Sequence, residues 1–106
     1  MDKSIINYLS EQFELSVNPE VNTDQLEAII AERINYLVMN DFPRLLRLLY
    51  RIDISETKLK SLLSSNPEVD SGRIIARMII ERQMEKIRLR EYFKITGTDA
   101  GEEEKW

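Results

Sequence analysis

Residues 71–94 read SGRIIARMIIERQMEKIRLREYFK, and this stretch decides the fold. Apart from Gly72 at its start it holds no glycine or proline, and its apolar residues are numerous enough to pack on two sides. At about 1.5 Å per residue a helix of this length spans roughly 35 Å, the width of a small domain. The shorter segments before it must lie against it. In its first half apolar residues nearly encircle the helix and leave mainly Arg73, Arg77 and Glu81 outside. Ile75 and Ile79 mark one apolar side, and Ala76, Ile80, Met84 and Ile87 mark a second. A domain this small buries the first side; the second is surplus unless the first or second helix covers it. Surplus apolar surface on a helix marks a partner. Ile80, Met84 and Ile87 are therefore the candidate partner-binding residues, and a symmetric homodimer through this helix is the expected assembly.

Four shorter helices precede it. Ser4 to Leu15 places Ile5, Ile6, Leu9 and Phe13 on one face. Asn18-Pro19-Glu20 breaks that pattern, because the residue before proline is pushed out of the helical region. A second helix starts at Asn22 or Thr23, with Asp24 and Glu27 in the first turn where the helix dipole favours acids. It runs to about Met39 on an apolar face of Leu26, Ile29, Ile30, Ile34, Leu37 and Val38. Asn40-Asp41-Phe42-Pro43 is a stop and a restart, with proline tolerated in the first turn of a third helix. On that helix Leu45, Leu46, Leu48, Leu49, Tyr50 and Ile52 cover one side, while Arg44, Arg47 and Arg51 line the other. Ser55 caps a fourth helix that buries Leu59, Leu62 and Leu63 and ends at Ser64-Ser65-Asn66-Pro67. Asp70 or Ser71 caps the fifth. No segment alternates strictly as a half-buried strand does. The expected fold is all-α: about five helices in a compact bundle, four short ones on one long C-terminal helix, forming a single domain over residues 1–95. A mobile acidic tail is expected over residues 96–106.

Composition removes most chemistry. With 106 residues, no cysteine and no histidine, the chain lacks a thiol nucleophile, a disulfide framework and the commonest general base and metal ligand. Glycines at 72, 97 and 101 form no phosphate-binding loop. Glu81 and Glu85 stand one turn apart beside Arg82 and Lys86, so salt links explain them better than a shared cation. The expectation is a protein that is not an enzyme and that uses no metal or cofactor. Met1 is followed by Asp-Lys-Ser, and the apolar runs are short and interrupted by arginine, so neither a secretory signal nor a membrane span is expected. A cytoplasmic location is the default.

Charge is unevenly spread under a net −4: residues 1–42 hold eight acids against Lys3 and Arg33, whereas residues 73–94 hold seven bases against three acids. Arg44, Arg47 and Arg51 form a stripe without an interleaved acid, and arginine suits carboxylate and phosphate contacts. They are the candidate binding residues for an anion or an acidic partner, with the acidic N-terminal half of the same chain as the competing explanation. Arg33 and Arg82 lie within apolar stripes. Each is expected either to reach solvent or to pair with a carboxylate, Glu32, Asp41 and Asp53 being nearest to hand.

Residues 43–65 can also be laid on a helix-turn-helix pattern, with Leu48, Ile52, Ile54, Leu59 and Leu62 at its apolar positions. Leu49 stands where a small residue lets the helices close, and Asp53 where glycine makes the turn. The reading helix would offer Glu56, Thr57, Lys58, Lys60 and Ser61, and an acidic chain is poorly matched to DNA, whose affinity rests on phosphate neutralisation. Nucleic acid is therefore the alternative partner, behind protein.

Arg33-Ile34-Asn35, the run Leu48-Leu49-Tyr50-Arg51-Ile52-Asp53-Ile54-Ser55-Glu56, Asn66-Pro67 and Ile79-Ile80-Glu81-Arg82-Gln83 together resemble a family of short uncharacterised bacterial proteins over roughly residues 26–90. The resemblance implies a small helical protein. It implies no activity, ligand or catalytic residue.

Overall fold

The computed structural model describes residues 1–65 and 70–96, and these form five helices. They are α1 (Lys3–Gln12), α2 (Thr23–Asn40), α3 (Phe42–Ile52), α4 (Glu56–Ser65) and α5 (Ser71–Thr96). The expected all-α architecture is present, and α5, at 26 residues, is the longest element. Thr96, expected in the tail, is still part of α5. Residues 97–106 and the Asn66-Pro67 break lie outside the described residues.

Each helix starts where its sequence provides a cap. Asp2 accepts from the Ser4 amide at 2.8 Å, and Asn22 and Gln25 form a reciprocal capping box at the start of α2. Asp41 closes α2 and opens α3, with Pro43 in the first turn of α3. The Ser55 hydroxyl accepts from the Lys58 amide, and the Asp70 carboxylate accepts from the Gly72 amide at 3.0 Å.

The ends are less ordinary. After α1 the Leu15 amide donates back to the Ser10 carbonyl, and after α3 the Ile54 amide donates to the Leu49 carbonyl. Both bonds belong to the left-handed C-terminal turn that glycine favours. Here carboxylate residues make it: Glu14 at φ 55° and Asp53 at φ 66°. Each is tied to an arginine of another helix, Glu14 to Arg44 and Asp53 to Arg82. A non-glycine residue in this conformation costs about 1–2 kcal/mol, whereas an exposed ion pair returns under about 1 kcal/mol. Glu14→Gly is therefore expected to leave stability unchanged or raise it by up to about 1 kcal/mol, and Glu14→Ala to lower it. Urea denaturation of the two variants checks the order.

The core is built on α2 packed against α5. The helices run antiparallel: Gly72 lies against Ala31 and Asn35, Arg77 reaches Glu27, and Ile87 shares a small cavity with Thr23. Leu26, Ile30, Ile34 and Leu37 face Ile75, Ala76, Ile79 and Ile80 within one buried cluster, which α1 joins through Ile5, Ile6, Leu9 and Phe13. From α3 come Leu45, Leu48 and Ile52. No residue of α4 is buried; Leu59 and the rest of its apolar side are half-covered.

Gly72 sets the closeness of the main pair. A Cβ there would lie 2.8 Å from the Ala31 carbonyl oxygen and 2.5 Å from the Asn35 amide oxygen. Asn35 in turn donates to Asp70, so the start of α5 is fixed against the middle of α2.

Candidate functional site

The candidate partner stripe on α5 divides. Ile80 is only 2% exposed and belongs to the core, covered by the short helices. It offers nothing to a partner, which corrects the expectation for that residue. Ile87 is half-buried against the same core, and Met84 is the exposed member. Met84 and Ile87 edge a cavity of about 160 Å³ shared with Met1, Ile5 and Thr23. Past Thr23, α5 continues for nine more residues, to Thr96, with Leu89 and Tyr92 exposed.

The arginine stripe is on the surface as expected, and its members differ. Arg44 pairs with Glu14, and Arg51 donates to the Gln12 side chain at 3.1 Å. Both therefore hold the end of α1, and all three arginines rim a cavity of about 180 Å³ there. Arg47 is exposed and makes no ion pair among the described residues. Of the arginines within apolar stripes, Arg82 meets a predicted acid, Asp53, at 3.2 Å, and also Glu85 at 2.6 Å. Among the described residues Arg33 takes no carboxylate and its buried Nε finds no acceptor; its guanidinium stands 5.0 Å from the centre of the Tyr36 ring, a cation–π contact.

Between the α3–α4 turn and α5 lies an open groove of about 550 Å³. Asp53, Glu81 and Glu85 line it together with Lys58, Arg82 and Arg88, so its charges balance. Lys86 nearby is held below the usual lysine range by burial and by the neighbouring Arg82, and its ammonium donates to the Ile52 carbonyl at 3.5 Å. Among the described residues no group of three carboxylates comes together to hold a metal ion, and no helix is long and apolar enough to cross a membrane.

Two features were not anticipated. Glu27 is buried, at 4% exposure, and takes both Arg73 and Arg77: Oε1 accepts from Arg73 at 3.0 Å and from Arg77 at 3.1 Å, and Oε2 from Arg77 at 3.2 Å. Burial works to raise this carboxyl, but the hydrogen bonds from Arg77 and Arg73 outweigh it and hold Glu27 below the usual carboxylate range. The same bonds raise Arg77. A signal was present: Glu27 stands three, four and seven residues before Ile30, Ala31 and Ile34, so it shares their buried face.

The second is an apolar band. The side of α3 read as one face splits in two: Leu45, Leu48 and Ile52 are buried, while Phe42, Leu46 and Tyr50 are exposed at successive turns. Tyr50 is 79% exposed, and Met39, at the adjoining end of α2, is 81% exposed. At 100° per residue, Phe42, Leu46 and Tyr50 lie on one flank of the buried strip and the arginines on the other, with Arg47 reaching furthest round toward Tyr50.

The chain matches no known family, no curated protein and no solved structure.

Proposed function

We propose that the chain is a non-enzymatic protein-interaction module that docks its partner on the outer face of α3. The observation that carries this is the band itself. Phe42, Leu46 and Tyr50, with Met39 beside them, are exposed one turn apart on a helix whose other apolar residues are buried or half-covered. Aromatic residues and methionine are the types enriched where proteins meet. If the band serves docking rather than folding, Leu46→Gln with Tyr50→Gln should keep the melting temperature within about 3 °C, as exposed substitutions do. The same change should remove binding of an apolar dye to the native protein. A fall of about 8 °C or more would place the band in the fold.

Self-association is supported by a second surface. Met84 is exposed level with the start of α2, and Leu89 and Tyr92 are exposed on the part of α5 that runs past it. Of the expected homodimer residues Ile80, Met84 and Ile87 it keeps Met84 and adds Leu89 and Tyr92, with Ile87 half-buried beside them.

The nucleic-acid reading of residues 43–65 has one more point in its favour than the sequence suggested, since Asp53 makes the left-handed turn itself. Against it, Lys60 is paired with Glu56, Arg44 with Glu14, and the chain is net acidic. Phosphate neutralisation would rest on few free cations.

A further inference from the structure

We infer that the partner segment on α3 is an acidic amphipathic helix, with apolar anchors on the Phe42–Leu46–Tyr50 band and carboxylates along the side that meets Arg47. This rests on the docking reading above and adds the chemistry of the occupant. The band runs two helical turns, roughly 12 Å, which matches anchors spaced one turn apart on a second helix. The charges that α3 itself sets beside the band are all positive, and the one carboxylate on that flank among the described residues, Glu14 of the turn after α1, is paired with Arg44. Every charged residue within α3 is an arginine, Arg44 and Arg51 are engaged at the end of α1, and Arg47 makes no ion pair among the described residues. An arginine fork beside an apolar strip suits a carboxylate in two-pronged contact. The two acids that flank α3 in sequence are occupied, Asp41 as its cap through the Arg44 amide and Asp53 by Arg82.

A second copy of the chain fits this surface poorly. Two α3 helices packed antiparallel about a two-fold axis bring the same flank of each together, so Arg47 would oppose Arg47. Packed parallel, the arginine flank of one copy would meet the Leu45 flank of the other. That flank is already in the core.

The test is fluorescence anisotropy of the full chain with two labelled, helix-stapled peptides of about 16 residues carrying leucines one turn apart. One has glutamate along a flank and the other lysine. The glutamate peptide should bind at least about tenfold tighter at low salt, with the ratio shrinking toward unity at about 0.5 M salt. Arg47→Glu should reverse the preference, and Leu46→Gln should weaken both peptides. Equal affinity for the two peptides overturns the acidic partner and leaves the docking surface standing. No binding of either peptide, with Leu46→Gln silent, overturns the docking reading as well. A wild-type dimer that Leu46→Gln converts to monomer makes the occupant a second copy. Competition by mixed-sequence duplex DNA that Arg47→Glu abolishes makes it a polyanion. Either result overturns the inference.

Discussion

Changing Arg73 and Arg77 together to methionine is expected to lower stability by about 3 kcal/mol at pH 7 and by much less at pH 4. Methionine keeps the apolar stems and removes both cations, so Glu27 is left buried and unpaired. In the wild type the folded pKa of Glu27 is depressed. Its contribution to stability is therefore full above the unfolded carboxyl value, about 4.3, and is lost as pH falls through the folded value. Without the arginines only burial remains, which raises the folded pKa. The group then becomes a penalty that is full at neutral pH and disappears as pH falls below the unfolded value. The two stability curves should converge between about pH 7 and pH 4. Parallel curves in urea titrations across that range would show that the arginines do not hold Glu27.

Ile80→Glu is expected to unfold the chain or to reduce its stability by more than about 4 kcal/mol. Ile80 is buried in one cluster with Ile79 and Ala76, and the nearby arginines of α5 are already paired, Arg73 and Arg77 with Glu27 and Arg82 with Asp53 and Glu85. Glutamate would either carry a charge into the core or take up a proton there, and the isoleucine volume would be lost as well. Met84→Glu, one turn on, should change stability by under about 0.5 kcal/mol, because Met84 is exposed. Circular dichroism and urea melts of the two variants separate a core position from a surface one. A folded Ile80→Glu protein of reduced mass would instead return Ile80 to the dimer contact.

These two residues show how far the sequence could be read. The starts of α2, α4 and α5 were legible because Asn22, Ser55 and Asp70 act locally through amides two or three residues away, as do Asp2 and Asp41, which the sequence reading does not single out. The α1 and α3 ends were legible to within a few residues, but not the left-handed turns at Glu14 and Asp53. Those depend on arginines distant in sequence, Arg44 and Arg82. Leu26, Ile30, Ile34 and Leu37 of α2 are buried as their spacing predicts, whereas Val38 is exposed and Ile29 only half-buried; the same spacing marks Glu27, yet its place in the first turn offered a sufficient dipole explanation. On α3 and α5 apolar residues cover more than half the circumference, so periodicity leaves the covered strip undetermined. The direction from which α2 and α1 approach decides it. Gly72, beside the Ala31 carbonyl, fixes that approach for α2, and a single sequence gives no sign of such a contact.

On the proposed function, α3 presents the docking surface. Backbone amide chemical shifts of the full chain, titrated with the glutamate-flanked peptide, test it most directly. Shifts concentrated at Met39, Phe42, Leu46, Arg47 and Tyr50, with α5 beyond Met84 unmoved, are the predicted result. Shifts concentrated at Met84, Leu89 and Tyr92 with α3 unmoved would contradict it.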